Sequence, residues 1–457
     1  MVQLSLKISK SIAAILFLLL LSNIPAEVQG YLFLKHKPTH HDFSVSQIRE
    51  ATKTSPYDSI LKFVNSSNFP NRASFPDGFL FGAGSSALQI EGGCHEGGRG
   101  LGIWDDIVNQ NKGGYVDSDK FATKIEHYKR YKEYSEFLFK TYGDRVKHWT
   151  TFNEAEVVAI FTFMFNIDHI STDQTCQNTK ICTQSYNILH NFLLAHATTS
   201  KLYKTKFQAM QGGEIGLTLS TGRYVPYSSK PEDVIATQRL MDFYWGWVLD
   251  PLFHGDYPKI MKKLVGNRLP KFTKKEKHML KGSANFVGIN YYTSHFARHE
   301  PNRTKIMYDN YDALAVSETI NAEGNTLGYK DEYGLNNVYP EGLYNMLVYI
   351  KKKYKNPKIY ITENGIGSSK LSNPLRDEHR IAYVAAHINA TKSAIDDGVN
   401  VCGYFVWSAF DTFEFQGGYS GNWGLYHVDF NDSLKRIPTD TAKWYRKYLT
   451  HNLIEKN

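Results

Sequence analysis

The feature that most constrains this chain is an alternation of short β-rich runs with helical stretches. "GFLFGAGSSA", "VKHWTTFNE", "EIGLTLS", "NFVGINYYT", "KIYITENG" and "VCGYFVWSAFD" read as strands, and helices lie between them. In "PEGLYNMLVYIKKKY", Leu343, Met346, Leu347 and Ile350 fall at i, i+3, i+4 and i+7, and lysines gather at the C-terminal end, where they complement the helix dipole. Strands alternating with helices imply a parallel sheet covered by helices, and the unbroken apolar runs imply burial on both faces. The fold class is α/β, with a closed (β/α)8 barrel of the TIM type as the leading architecture. Such barrels carry chemistry at the C-terminal ends of their strands, and here Glu154, Tyr292, Glu363 and Asp411 collect there. The count of strands is six, however, where a barrel of this type has eight.

Composition narrows the function classes. The 457 residues carry a formal charge of +8, but the basic excess is spread along helical surfaces with only short runs such as "KKEK" and "KKKYK". That pattern is a solvated face, not a nucleic-acid footprint. Lys7 and Lys10 precede "SIAAILFLLLL", an apolar run that suits a signal-peptide core and is too short to span a membrane. Residues 1–30 are therefore expected to be removed on entry to the secretory pathway, with no later membrane anchor, and 31–73 read as an irregular lead-in. Residues 74–457 form the expected catalytic domain. In that oxidising compartment Cys176 and Cys182, close together in "CQNTKIC", are expected to pair, while Cys94 and Cys402 read as buried free thiols. Sequons at Asn65, Asn302, Asn389 and Asn431 fit secretion.

Two glutamates at the mouths of different strands, Glu154 in "TFNE" and Glu363 in "ITENG", are what retaining glycoside hydrolysis requires. One carboxyl protonates the leaving oxygen while the other attacks the anomeric carbon, at a separation of about 5 to 5.5 Å. Competing motifs are weaker. "GAGSSA" has the outline of a dinucleotide loop, with Asp105 or Asp106 as the ribose acid, but the glycine-rich "QIEGGCHEGGRG" that follows is a poor helix start. No H-E-x-x-H occurs among the 17 histidines, so neither metal nor other cofactor is expected.

Together these motifs resemble glycoside hydrolase family 1, and within it the secreted plant β-glucosidases. "FPDGFLFGAGSSALQIEG", "TFNE", "GWVLDPLFHGDYP", "GINYYTS", "ITENG" and "GYFVWSAFDTFEF" follow the family's order from about Phe75 to Leu449. The resemblance implies Glu154 as acid/base and Glu363 as nucleophile of a double displacement. It implies Asn153 on the sugar 2-hydroxyl, Tyr292 as the phenol that orients the nucleophile, Gln89 and Glu414 on the outer hydroxyls of a glucose unit, Trp407 under its ring and Trp423 near its primary hydroxyl. The implied partner is a small-molecule β-glucoside. The implied location is extracellular, apoplastic or vacuolar, and the Cys176–Cys182 loop matches a disulfide of the plant members.

The chain departs from that pattern in one large respect. At "HYKRYKEYSEFLFKTYGDRVKHWTTFNE" the first helix joins directly to the helix before "TFNE", near residues 127–135. The family carries roughly seventy to eighty residues there, with the second and third βα units, an arginine that contacts the nucleophile and a histidine that grips the sugar. Losing two adjacent units must either close a smaller ring or leave unpaired strand edges. Ala155, Thr412 and Phe415 replace a proline, an asparagine and a tryptophan, and Phe415 at a sugar-binding position cannot donate the hydrogen bond of an indole. The expected activity is a retaining β-glucosidase. The alternatives are a catalytically impaired or inactive family member, either a truncated product or a glucoside- or partner-binding protein, and a transglucosidase using the same two glutamates.

Overall fold

The computed structural model describes residues 57–91, 125–166, 181–302, 312–332, 336–369, 373–414, 418–419 and 421–454. Six strands make the central sheet: β1 (Leu80–Ala83), β2 (His148–Asn153), β3 (Glu214–Pro226), β4 (Phe286–His299), β5 (Ile359–Asn364) and β6 (Val401–Val406). They are hydrogen-bonded in the order β1–β6–β5–β4–β3–β2, every neighbour parallel. A short antiparallel strand, Ala315–Glu318, adds to the end of β4. The result is a curled parallel sheet, part of a (β/α)8 barrel. Among the described residues β1 pairs only with β6 and β2 only with β3, so no described strand closes the ring between β1 and β2, the place where two βα units are expected from the sequence to be absent. Of the two outcomes the shortening allows, the described residues show the unpaired edges.

Burial follows that order. β3 and β4 are buried along almost their whole length, whereas β1 and β2 at the margins are half-exposed and Leu80 is 37% exposed. Both inner strands run further than their β-rich cores predict, because they continue to pair with each other as far as Pro226 and Ala297. The outer layer follows the helical periodicity. Helix α5 (Pro340–Lys353) starts on Pro340, a residue pre-set for the first turn, and buries Leu343, Met346, Leu347 and Ile350 completely. The other helices used below are α1 (Asp58–Val64), α2 (Ile125–Tyr142), α3 (Ala155–Asn166), α4 (Pro231–Met241) and α6 (Glu378–Asp396).

Several sequence expectations change. Part of the stretch read as irregular is helical: α1 lies within it, and Tyr57 before it meets Tyr329 edge-on at 5.1 Å between ring centroids. A single helical turn, Ala87–Ile90, does follow "GAGSS", although four residues are too few to present a phosphate-binding terminus. Cys402 is a free thiol but only half-buried. Asn65, Asn302 and Asn431 are exposed, whereas Asn389 is half-buried within α6 and the Thr391 of its sequon is fully buried, which makes it the poorest acceptor of the four. Cys94, Cys176, Phe415 and the residues before Tyr57 lie outside the described residues, as does the side chain of Cys182. Among the described residues no helix is long and apolar enough to cross a membrane.

Candidate active site

β5 carries an acid at its C-terminal end, and the residues around "TENG" hold that acid in place. β5 ends at Asn364, which is fully buried, donates to Tyr291 O at 2.7 Å and accepts from the Tyr404 hydroxyl. The chain then passes so close to Trp407 that a Cβ on Gly365 would stand 2.0 Å from the Trp407 carbonyl oxygen. Only glycine fits there. This fixed turn leaves Glu363 aimed across the C-terminal end of the sheet, where the Tyr292 hydroxyl of β4 donates to its Oε2 at 2.5 Å. Tyr292 is itself held from behind, because Tyr383 of α6 donates to its backbone carbonyl at 2.7 Å.

Glu154 arrives from β2. It takes a left-handed backbone conformation, φ +52°, between the end of β2 and the start of α3, a strain of about 1–2 kcal/mol for a residue with a side chain. Its N–H bonds Thr218 O at 3.0 Å and so holds the turn to β3. Its carboxyl accepts from Asn290 Nδ2 at 2.7 Å. The same Asn290 amide donates to Asn153 Oδ1 at 3.0 Å. Thr362 fixes Asn290 by donating to its Oδ1 at 2.7 Å. The two glutamates, 209 positions apart, therefore stand at the same end of the sheet, Glu154 tied to Asn153 through Asn290 and Glu363 tied to Tyr292.

A second group closes the other side. Gln89 is buried and donates to Phe413 O at 2.8 Å and Thr412 Oγ1 at 3.3 Å, and Thr412 donates to Glu414 Oε1 at 3.0 Å. The ring of Trp423 meets Tyr292 edge-on at 6.0 Å. Gln89, Asn153, Glu154, Tyr292, Glu363, Trp407, Glu414 and Trp423 thus lie at the C-terminal end of the sheet. Asp411 does not join them: its carboxyl accepts from Gly424 N, His427 Nδ1 and Val428 N at 2.8, 2.7 and 3.2 Å and holds a loop. Sequence reasoning passed over Asn290. Asn290 could have been found, because it stands two residues before Tyr292 and so on the same strand face.

The electrostatics are those of crowded acids. Burial raises Glu154, against the opposing hydrogen bonds of Asn290 and Ser220. Burial and then the charge of Glu154 push Glu363 up to about 8, against the hydrogen bonds of Tyr292 and Asn153. Glu414 is raised by burial, and Tyr292 is held well above its ordinary value by burial and by Glu363. The charges acting on Glu363 are those of Glu154 and Glu414, both of its own sign. A separate cleft of about 580 Å³, lined in part by Asp242, Asp250, Tyr349 and Lys353, lies in the outer helical layer, where Lys353 already bridges both aspartates. Among the described residues no group of three acids, histidines or cysteines is arranged to hold a metal ion.

The family model of glycosyl hydrolase family 1 matches residues 71–133 and 113–454. The chain belongs to this family. Within family 1 it is 35% identical over 477 positions to β-glucosidase 11 of Oryza sativa subsp. japonica, covering 83% of this chain and 89% of the relative. It is 34% identical over 469 positions to furostanol glycoside 26-O-β-glucosidase of Hellenia speciosa, covering 83% of each. In both alignments roughly a fifth of the positions find no residue in this chain. A crystal structure of the rice β-glucosidase Os3BGlu6 superposes with a TM-score of 0.72 at 30% identity, covering 83% of this chain and 99% of that one. The family 1 β-glucosidase of Thermotoga maritima gives 0.67 at 27%, covering 84% and 99%. This family 1 chain is a glycosidase by descent, and its site residues stand at the end of the sheet where such barrels carry their chemistry.

Proposed function

We propose that the protein is a retaining β-glucosidase that releases terminal β-D-glucosyl residues from small-molecule glucosides, with Glu363 as nucleophile and Glu154 as acid/base. The observation that carries this reading is that two carboxyls from different strands stand at the same end of the sheet, Asn290 donating to Glu154 and to Asn153 beside it while the Tyr292 phenol donates to Glu363. Glu363 attacks the anomeric carbon as Glu154 protonates the leaving oxygen, and Glu154 then takes a proton from the water that cleaves the glycosyl ester. A related rice β-glucosidase structure is described as a covalent complex with Glc, which supports the same order of events. Gln89 and Glu414 bind the outer hydroxyls and Trp407 lies under the ring. The apolar leader and the exposed sequons support secretion.

The test is labelling with a 2-deoxy-2-fluoro-β-glucoside followed by peptide mass spectrometry. A glucosyl adduct on Glu363, lost in Glu363→Gln, is the expected result; a soluble, cooperatively folded chain that forms no adduct refutes the enzyme reading. One second reading has its own observations. The open sheet, and the burial and like charges that hold Glu363 protonated near neutral pH, favour an impaired relative, in which only about one Glu363 in a hundred is ionised at pH 6. In that case the adduct forms, but slowly and faster as pH rises toward 8.

A further inference from the structure

The second group of site residues is joined by hydrogen bonds whose direction the partners fix. Gln89 stands in the single turn Ala87–Ile90 after β1, and Thr412 and Glu414 stand in the loop after β6, so the contact joins residues 323 positions apart. Gln89 Nε2 lies 2.8 Å from the Phe413 carbonyl oxygen. A carbonyl oxygen only accepts, so the amide turns its nitrogen toward Phe413 and its oxygen away. The same nitrogen lies 3.3 Å from Thr412 Oγ1, and that oxygen lies 3.0 Å from Glu414 Oε1. A hydroxyl has one hydrogen; when Thr412 accepts an N–H from Gln89, its own hydrogen is left for the carboxylate. Gln89 and Thr412 are buried, and the backbone of Glu414 is pinned by two bonds with Gly418 at 2.8 and 2.6 Å. Burial raises Glu414, and the Thr412 hydroxyl opposes that by donating to it. Both N–H groups of the Gln89 amide and the Thr412 O–H are thus used inside the protein. What remains for a ligand is the amide oxygen of Gln89 and the carboxylate of Glu414, and both are acceptors.

We propose that Thr412 is a positioning residue that makes this end of the site accept hydrogen bonds only: it takes an N–H from Gln89 and gives its O–H to Glu414, so a bound glucoside must present free hydroxyls at the outer positions that those two residues face. This rests on the reading of Gln89 and Glu414 as the residues on the outer hydroxyls of the sugar. An ether, an ester or a fluorine at such a position has no hydrogen to give, and it leaves a desolvated acceptor unpaired. The substrate class is therefore narrowed to β-glucosides whose outer hydroxyls are unsubstituted there. The family resemblance has asparagine at position 412. An amide can meet Gln89 and Glu414 with separate atoms, whereas the one oxygen of Thr412 couples them, so the direction of one bond sets the direction of the other.

Calorimetric titration of the full chain with phenyl 1-thio-β-D-glucopyranoside reads this polarity without turnover. The analogues carry hydrogen or fluorine in place of the C3, C4 or C6 hydroxyl in turn. At the positions facing Gln89 and Glu414, both replacements weaken binding roughly 10-fold or more, and fluorine is no better than hydrogen. Thr412→Val removes the hydroxyl at nearly constant shape and frees one N–H of Gln89, so the fluoro analogue then binds about 2-fold or more tighter than the deoxy analogue. Thr412→Ser keeps the hydroxyl and the wild-type order. A packing role for Thr412 gives the opposite pattern, with valine silent and serine disturbed. The proposal is overturned if Thr412→Val keeps the wild-type order, or if fluorine outbinds hydrogen at those positions in wild type, a comparison that stands even where the valine variant does not fold. Gln89→Ala and Glu414→Ala separate this from the reading it rests on. If they weaken binding of the parent glucoside while Thr412→Val changes nothing, only the role of Thr412 falls. If they leave it unaffected, or if wild type does not bind the parent, the outer-hydroxyl reading falls and takes the proposal with it.

Discussion

At the scale of single residues, the protonation state of Glu363 decides what the site can do. The Tyr292 hydroxyl opposes the effect of burial by donating to its carboxylate. Tyr292→Phe removes a hydrogen bond to a charged group, worth about 1.5–3 kcal/mol, and should slow labelling by the fluoroglucoside roughly 10- to 100-fold. The loss should be greatest below pH 8, where ionised Glu363 is scarce. The same shift acts on stability. Between its ordinary value of 4.5 and about 8, the folded chain holds a proton on Glu363 that the unfolded chain has lost, so this contribution is fully present below 4.5 and is lost as pH rises through 8. Thermal unfolding should therefore move to lower temperature between pH 5 and pH 8. Glu363→Gln, which stays neutral throughout, should flatten that dependence and raise stability at pH 8 by an amount on the order of a few kcal/mol. A flat wild-type profile would contradict the crowded-acid picture. Glu154 and Glu363 were legible in the sequence because each closes a β-rich run. The link that Thr412 makes was not, because it comes from a contact between residues 323 positions apart, which no local pattern reports.

Among the elements, what the sequence showed and what it hid divide along the same line. The strands' existence and the buried face of α5 follow from periodicity. The lengths of β3 and β4 do not, because they are set by mutual pairing that outlasts the apolar runs. Helix α2 shows the consequence of the missing units. Its inner side is anchored where Tyr131 stacks on Phe152 of β2 at 4.5 Å and Phe139 meets Trp149 edge-on at 5.0 Å. Its outer side exposes Tyr134 and Phe137, 58% and 59% accessible and one turn apart, beside the open margin. An isolated exposed aromatic is ordinary, but two on one helix flank next to an unpaired strand favour self-association. Replacing both with lysine should reduce light scattering on concentration while changing stability by no more than about 0.5 kcal/mol. A large loss of stability would mean that the pair is buried by a contact the described residues do not make.

For the molecule as a whole, the open ring sets a gradient of protection. β4 and β5 have a parallel neighbour on both sides and sit within the main core. Among the described residues β2 has one neighbour and leans on a separate small cluster of Phe139, Tyr203, Phe207 and Ile215, and β1 contributes four residues at the other margin. Hydrogen exchange should accordingly report opening of β1 and β2 at a much smaller free energy than that of β4 and β5, which exchange only on global unfolding. The site straddles this gradient: Glu363 and Tyr292 stand on the rigid centre, whereas Glu154 hangs from β2 and Gln89 follows β1. Inserting the two missing βα units of a family 1 relative between His127 and Ser135 should therefore do two things together. Protection of β1 and β2 should rise toward that of β4 and β5, and labelling of Glu363 should accelerate, because the acid/base is then held at a fixed distance from the nucleophile. Equal protection of edge and centre in the unaltered chain would show that the margins are not free, and the link from open ring to weakened catalysis would fall with it.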